Sequence, residues 1–330
     1  MKAATRRRAF LIWIPAILGG AVVLAAIVYL AFGVVFYLRM ADVKGSCDRH
    51  SVNRPNHIVF TDNWPPIDLA RYAMPRYETV RFPSREPGIN IAGWWVQGDP
   101  GAPAVILVHG LGGCKNAIDV LVPAGMLWRN GFSVLMIDLR NIGESDFVDG
   151  RSTAGNAEYQ DVLGAWDWLV TNKGLSPERV GVFGESLGGA TSLFAFAAEP
   201  RMAALFLEST YADLEQMIAE DIKNQGFPAF LASSAILMGR VIGHRNLLAR
   251  DPVEVIRQVG NRPIYVVHSR EDTRIPIDQA QELVAAARAA GDNVTAWFTD
   301  HGEHVQTPAA YPEEFERRLV DFFRRSLGWP

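Results

Sequence analysis

The chain has 330 residues, with 32 Lys and Arg against 36 Asp and Glu, and 49% of its residues are apolar. Its positive charge gathers at the start: residues 1–38 hold Lys2, Arg6, Arg7 and Arg8 and no acid, which leaves 28 basic against 36 acidic side chains in the remainder. That balance excludes a nucleic-acid footprint, and the two cysteines, Cys47 and Cys114, have no metal-ligand spacing and form no recognisable disulfide framework.

Phe10 to Leu38 is a 29-residue run without a charged side chain, longer than the roughly 20 residues that a bilayer requires. It is also about twice the length of a cleavable signal's apolar region. Residues 1–9 therefore read as a cytoplasmic basic N-terminus and 10–38 as a single-pass transmembrane signal-anchor helix, placing the rest of the chain outside the cytoplasm. Lipidation at Cys47 is disfavoured, because Lys44 interrupts the small apolar residues expected before it. Residues 39–75 read as a juxtamembrane linker, and 76–330 are long enough for one large domain with a deep core.

Within that domain, β-rich runs alternate with helical patterns. The expected strands are Tyr77–Phe82, Ile89–Val96, Ala104–Val108, Ser133–Asp138, Arg179–Phe183, Ala203–Leu207, Pro263–His268 and Val294–Thr299. The alternation implies an eight-stranded, mostly parallel sheet with helices on both faces. The polar turn containing Pro83, Ser84, Pro87 and Gly88 makes the first two runs an antiparallel edge hairpin. Helices are expected at about 115–129, 156–170, 187–198, 278–290 and 312–327. Residues 211–262 break the pattern and read as a short helical cap, whose Met217, Ile218, Phe227, Phe230, Leu231, Ile236, Leu237 and Met238 would roof an apolar pocket.

The chemistry gathers around Gly184-Glu185-Ser186-Leu187-Gly188, a GxSxG elbow between a strand and a helix. A serine hydroxyl is a weak nucleophile, so it needs a base within reach and an acid to orient that base. His304 is the preferred base over His301 in the same loop, with Asp272 as the acid and Glu271 and Glu208 as fallbacks. The order Ser186, Asp272, His304 is the one this architecture uses. An oxyanion would be held by the backbone amides of Leu187, at a helix N-terminus, and of Leu111, in the glycine-rich loop His109-Gly110-Leu111-Gly112-Gly113. His109 reads as a brace for that loop.

These motifs resemble those of the α/β-hydrolase superfamily over about Tyr77 to Leu327. Asp138-Leu139-Arg140-Asn141-Ile142-Gly143-Glu144-Ser145 is similar to the superfamily's DxRGxGxS loop with Asn141 in place of a glycine. Glu208-Ser209-Thr210-Tyr211 resembles the exit into the cap, and Asp272 with Ile275-Pro276 resembles the acid motif. Gly-Glu-Ser-Leu-Gly and the short cap resemble membrane-anchored or secreted serine esterases, Bem46-like hydrolases among them. The resemblance implies an α/β-hydrolase fold and a covalent acyl-enzyme on Ser186, with no metal or organic cofactor. The expected partners are the membrane, through residues 10–38, and a small acyl substrate, lipid-like ones included. An amidase or peptidase acting on small acylated compounds and a non-catalytic binding protein are the competing readings.

Overall fold

The computed structural model describes residues 2–61 and 64–330, with side chains described from residue 15 onward. Two compact units emerge: the N-terminal helix with Ile218–Leu247, and Ala41–Met217 with Leu248–Pro330.

The larger unit is built on one sheet of eight strands: β1 (Glu78–Pro83), β2 (Asn90–Val96), β3 (Ala104–Val108), β4 (Ser133–Ile137), β5 (Val180–Glu185), β6 (Ala204–Glu208), β7 (Ile264–Ser269) and β8 (Val294–Thr299). The spatial order is β1-β2-β4-β3-β5-β6-β7-β8. β1 and β2 form the antiparallel edge hairpin, β2 also runs antiparallel to β4, and every later pairing is parallel. β3 to β6 are buried along their whole length, as the uninterrupted apolar runs of a covered parallel sheet require.

The helices are α1 (Lys2–Ala41), α2 (Ile118–Trp128), α3 (Tyr159–Asn172), α4 (Ser186–Ala198), α5 (Leu214–Asn224), α6 (Ala232–Val241), α7 (Pro252–Ile256), α8 (Ile277–Ala290), α9 (Thr307–Ala310) and α10 (Pro312–Leu327). α10 starts on a proline and ends before Gly328 in the left-handed conformation, the asymmetry expected of helix ends. Its Phe315, Leu319, Phe322 and Phe323 join a core where Phe206 stacks between Phe183 and Tyr265.

The expected juxtamembrane linker, 39–75, contributes side chains to the core of the larger unit. Leu69, Tyr72 and Met74 are buried in the main core cluster, and Asn116 donates from Nδ2 to the Asn53 carbonyl at 3.0 Å. Cys47 and Cys114 are joined in a disulfide with Cα atoms 5.5 Å apart, 67 residues apart in sequence. The expectation that they form no framework is thereby corrected: the folded chain brings together two positions whose separation gives no hint of pairing.

In the smaller unit, α1 carries a 27-residue stretch, Pro15–Ala41, that is long and apolar enough to cross a membrane. The side chains of Lys2, Arg6, Arg7 and Arg8, and of the first five residues of the expected span, lie outside the described ones. The hairpin of Ile218–Leu247 packs against the last third of this helix. Phe32 meets Phe227 edge to face at 5.1 Å, and Ser234 Oγ donates to the Tyr29 carbonyl at 2.5 Å.

Candidate active site

Ser186 stands between the end of β5 and the first turn of α4 with φ of 51°. That left-handed conformation is costly for a residue with a Cβ, and it is what turns a strand into a helix within one residue. The turn closes because its neighbours lack side chains. A Cβ on Gly110 would lie 3.0 Å from Ser186 Cβ, and one on Gly188 would collide with the carbonyls of Val108 and His109.

The structure brings Ser186, His304 and Asp272 together from three loops at the C-terminal ends of the strands. His304 Nε2 lies 2.9 Å from Ser186 Oγ, and its Nδ1 lies 2.8 Å from Asp272 Oδ2. Asp272 is an acceptor and takes Nδ1–H, so the Nε2 lone pair is left facing the serine hydroxyl. The other carboxylate oxygen accepts from the amides of Arg274, at 3.0 Å, and Ile275, at 2.8 Å. Burial works to raise the Asp272 pKa, but hydrogen bonds from His268 and His304, with their charge, hold it well below the usual carboxylate range. Burial lowers the His304 pKa beneath 6.5, and Asp272 only partly offsets it.

His301 is not part of this arrangement. It is exposed, pairs with Glu271 at 3.0 Å, and stacks on Tyr311. Its pKa is raised by the hydrogen bond to Glu271. Glu208, the other fallback acid, is fully buried as the last residue of β6 and is the register partner of Glu185.

His109 braces the glycine-rich loop. Its Nε2 accepts from the Leu139 amide at 3.1 Å, so Nδ1 carries the proton and donates to the Gly110 carbonyl at 2.8 Å. The Gly110 amide is itself engaged, donating to Glu185 Oε1 at 3.1 Å. Leu111 is therefore the next amide of the loop that can turn toward an oxyanion. On the other side, the Leu187 amide lies in the first turn of α4, where backbone donors have no intrahelical partner and the helix dipole favours negative charge. The disulfide ends this loop at Cys114 and ties it to the segment after α1.

The loop after β4 shows why Asn141 can replace a glycine. It adopts φ of 68°, a region that asparagine tolerates. Its Oδ1 then accepts from the amides of Val148, Asp149 and Gly150 at 2.7–3.0 Å. Asp138 holds the same loop by accepting from the Glu144 amide and from the buried Lys115 ammonium.

A pocket of about 290 Å³ opens at the nucleophile, lined by Arg49, Trp64, Gly110, Leu111, Gly113, Asp119, Glu185, Ser186, Arg274, His304, Val305 and Gln306. All of them belong to the larger unit. The expected apolar pocket is instead mixed and rich in charge. Nothing in the sequence marks Glu185 and Asp119 for this place, except that Glu185 immediately precedes the nucleophile in the elbow. Burial, with the charges of Asp119 and Glu208, pushes the Glu185 pKa well above the ordinary carboxyl value.

The sheet order, the elbow on a strained serine and the glycine-rich loop opposite it define a serine hydrolase of α/β-hydrolase fold. A profile of the prolyl oligopeptidase family matches residues 124–329, more than half of the chain, and the chain belongs to that family. Among curated relatives, the uncharacterized protein YfhR of Salmonella typhi is 24% identical over 268 residues, covering 76% of this chain and 82% of its own length. An esterase of Pyrococcus furiosus superposes with a TM-score of 0.63 at 23% identity, over 83% of this chain and 98% of that one. The acylaminoacyl peptidase of Pyrococcus horikoshii gives 0.58 at 20% identity, over 76% of this chain and 42% of that one. At these identities the two structures show the shared fold.

Proposed function

We propose that the protein is a membrane-anchored serine hydrolase that cleaves carboxylic esters through Ser186, His304 and Asp272. The observation that carries this reading is the continuous relay from Ser186 Oγ to His304 Nε2 at 2.9 Å and from Nδ1 to Asp272 at 2.8 Å. Ser186 Oγ attacks the acyl carbonyl while His304 takes its proton, and the imidazolium that forms is stabilised by the ionised Asp272. The carbonyl oxygen becomes an oxyanion against the Leu111 and Leu187 amides. His304 then returns the proton to the departing alcohol, and the acyl group stays on Ser186. Water, activated by the same imidazole, releases the acid and restores the serine.

The pocket narrows the substrate class. A volume of about 290 Å³ lies at the lower end of small-molecule sites, and Arg49, Arg274, Glu185 and Asp119 make its walls polar. Small polar esters fit it better than long acyl chains, so a lipid-like substrate would be cut at a short acyl group or near its headgroup. α1 anchors the chain with its N-terminus in the cytoplasm and the hydrolase unit outside. The Cys47–Cys114 disulfide supports that orientation, because such bonds persist in oxidising compartments.

A second reading, an amidase or peptidase, is favoured by membership of the prolyl oligopeptidase family. The discriminating experiment is hydrolysis of matched p-nitrophenyl esters and p-nitroanilides of acetyl, butyryl, octanoyl and palmitoyl groups by the full-length protein. Ester preference with an optimum at the short chains is expected. Faster cleavage of the anilides would overturn the esterase assignment, and an optimum at palmitoyl would overturn the small-substrate assignment.

A further inference from the structure

The hairpin of the smaller unit exposes apolar surface in an unusual place. Phe227, Phe230, Leu237, Val241 and Ile242 are all exposed, Phe230 at 67%, and no Asp or Glu occurs between Asp221 and Asp251 while Lys223, Arg240 and Arg245 do. The same hairpin is fixed to α1. Phe230 stacks on Tyr29 at 6.3 Å, Phe227 meets Phe32, Ser234 is so close to Gly33 that no Cβ would fit, and Gly243 lies as tightly against the Tyr37 hydroxyl.

Below Tyr29 the apolar side chains of α1 stand open, as at Ile17, Val22 and Val28. From Phe10 to Tyr29 is 20 residues, which at 1.5 Å per residue spans about 30 Å, the thickness of a hydrocarbon core. The level at which the hairpin begins to cover α1 is therefore the level at which the bilayer's hydrocarbon ends. Sliding the core outward along the uncharged run to Leu38 only immerses the hairpin more deeply.

We propose that the hairpin is a second membrane-contacting element, with Phe227, Phe230, Leu237 and Val241 seated in the outer interface of the bilayer that α1 crosses. This rests on reading α1 as a membrane span. An exposed aromatic and aliphatic face on a stretch, 222–250, that holds basic and no acidic residues is the composition of an interfacial element on an anionic lipid surface, while Glu220 and Asp221 lie before it and Glu220 pairs with Lys223. Its occupant is the lipid itself, because the apolar surface of the hairpin is continuous with that of the open part of α1.

The test uses the full-length protein in phosphatidylcholine–phosphatidylglycerol vesicles. The native cysteines are paired, so Val22→Cys, Phe227→Cys, Phe230→Cys and Asp300→Cys each supply a single thiol for an environment-sensitive fluorophore. Probes at 227 and 230 are expected to lose fluorescence to nitroxide-labelled lipid as the probe at 22 does, and to resist aqueous iodide, which quenches the probe at 300. If 22 is quenched by lipid while 227 and 230 are quenched by iodide, the hairpin proposal fails and the anchor stands. If 227 and 230 resist both quenchers, another protein surface covers the patch and the proposal is wrong. If 22 itself is open to iodide, the anchor reading and the proposal fall together.

Discussion

Ser186 holds a φ of 51°, and in the proposed mechanism the imidazole beside it works only when neutral. Because burial sets the His304 pKa below 6.5, the protonated, inactive imidazole accumulates only under acidic conditions. The acid limb of kcat/KM for a short ester is expected to be centred below pH 6.5, the ordinary imidazole value; a limb centred above it would contradict this environment for His304. Replacing Asp272 with Asn presents an amide N–H to Nδ1, which forces the proton onto Nε2 and removes the lone pair that faces the serine. A loss in kcat on the order of 10³- to 10⁴-fold is expected with little change in KM, and a loss under tenfold would show that Asp272 does not orient the base. Much of this was legible in the chain, since the order Ser186, Asp272, His304 carries the pattern. His304 was separable from His301 only by preference, because a five-residue loop does not reveal which imidazole turns inward. Glu185 beside Asp119 was less legible still: their meeting depends on the first turn of α2, a helix packed on β3 and β4, reaching the end of β5, which no local spacing records.

The strands were the most readable elements. Each expected run overlaps an observed strand and shifts by at most two residues, because a parallel strand buried on both faces is a near-continuous apolar run. The insertion was less so. Its helices were foreseeable, but Phe227 and Phe230 pack on α1, and a hydrophobic pattern does not say which surface it faces. Between α3 and α4, a salt-linked corner joins Asp167, Arg85, Glu199 and Arg201. The hydrogen bonds from Arg201 and Arg85 hold the Glu199 pKa down at about 2, against an ordinary 4.5. The folded chain thus keeps this carboxylate ionised where the unfolded chain would protonate it. Its contribution to stability is complete above pH 4.5 and is lost as the pH falls toward 2. Urea midpoints measured at pH 6, 4 and 3 should fall less steeply for Glu199→Gln than for the wild type, and parallel slopes would show that the corner does not contribute.

At the scale of the molecule, the disulfide joins the segment that leaves α1 to the end of the glycine-rich loop, so one covalent link serves both the chain's path and the proposed oxyanion site. Closing a 67-residue loop limits the unfolded chain and contributes about 2–4 kcal/mol. The Cys47→Ser, Cys114→Ser double variant is expected to lose stability on that order and to lose kcat as Leu111 loosens, while an unchanged kcat would separate the bridge from the site. Neither effect was foreseeable from two cysteines of unremarkable spacing. The most direct test of Ser186 as an activated nucleophile is fluorophosphonate labelling of the full-length protein, read by mass spectrometry of the modified peptide, in wild type, Ser186→Ala and His304→Ala. One adduct on Ser186 is expected in the wild type, none in Ser186→Ala, and labelling slowed by orders of magnitude in His304→Ala. A wild type that stays unlabelled where a control hydrolase reacts would contradict the assignment, and so would an adduct that persists in Ser186→Ala.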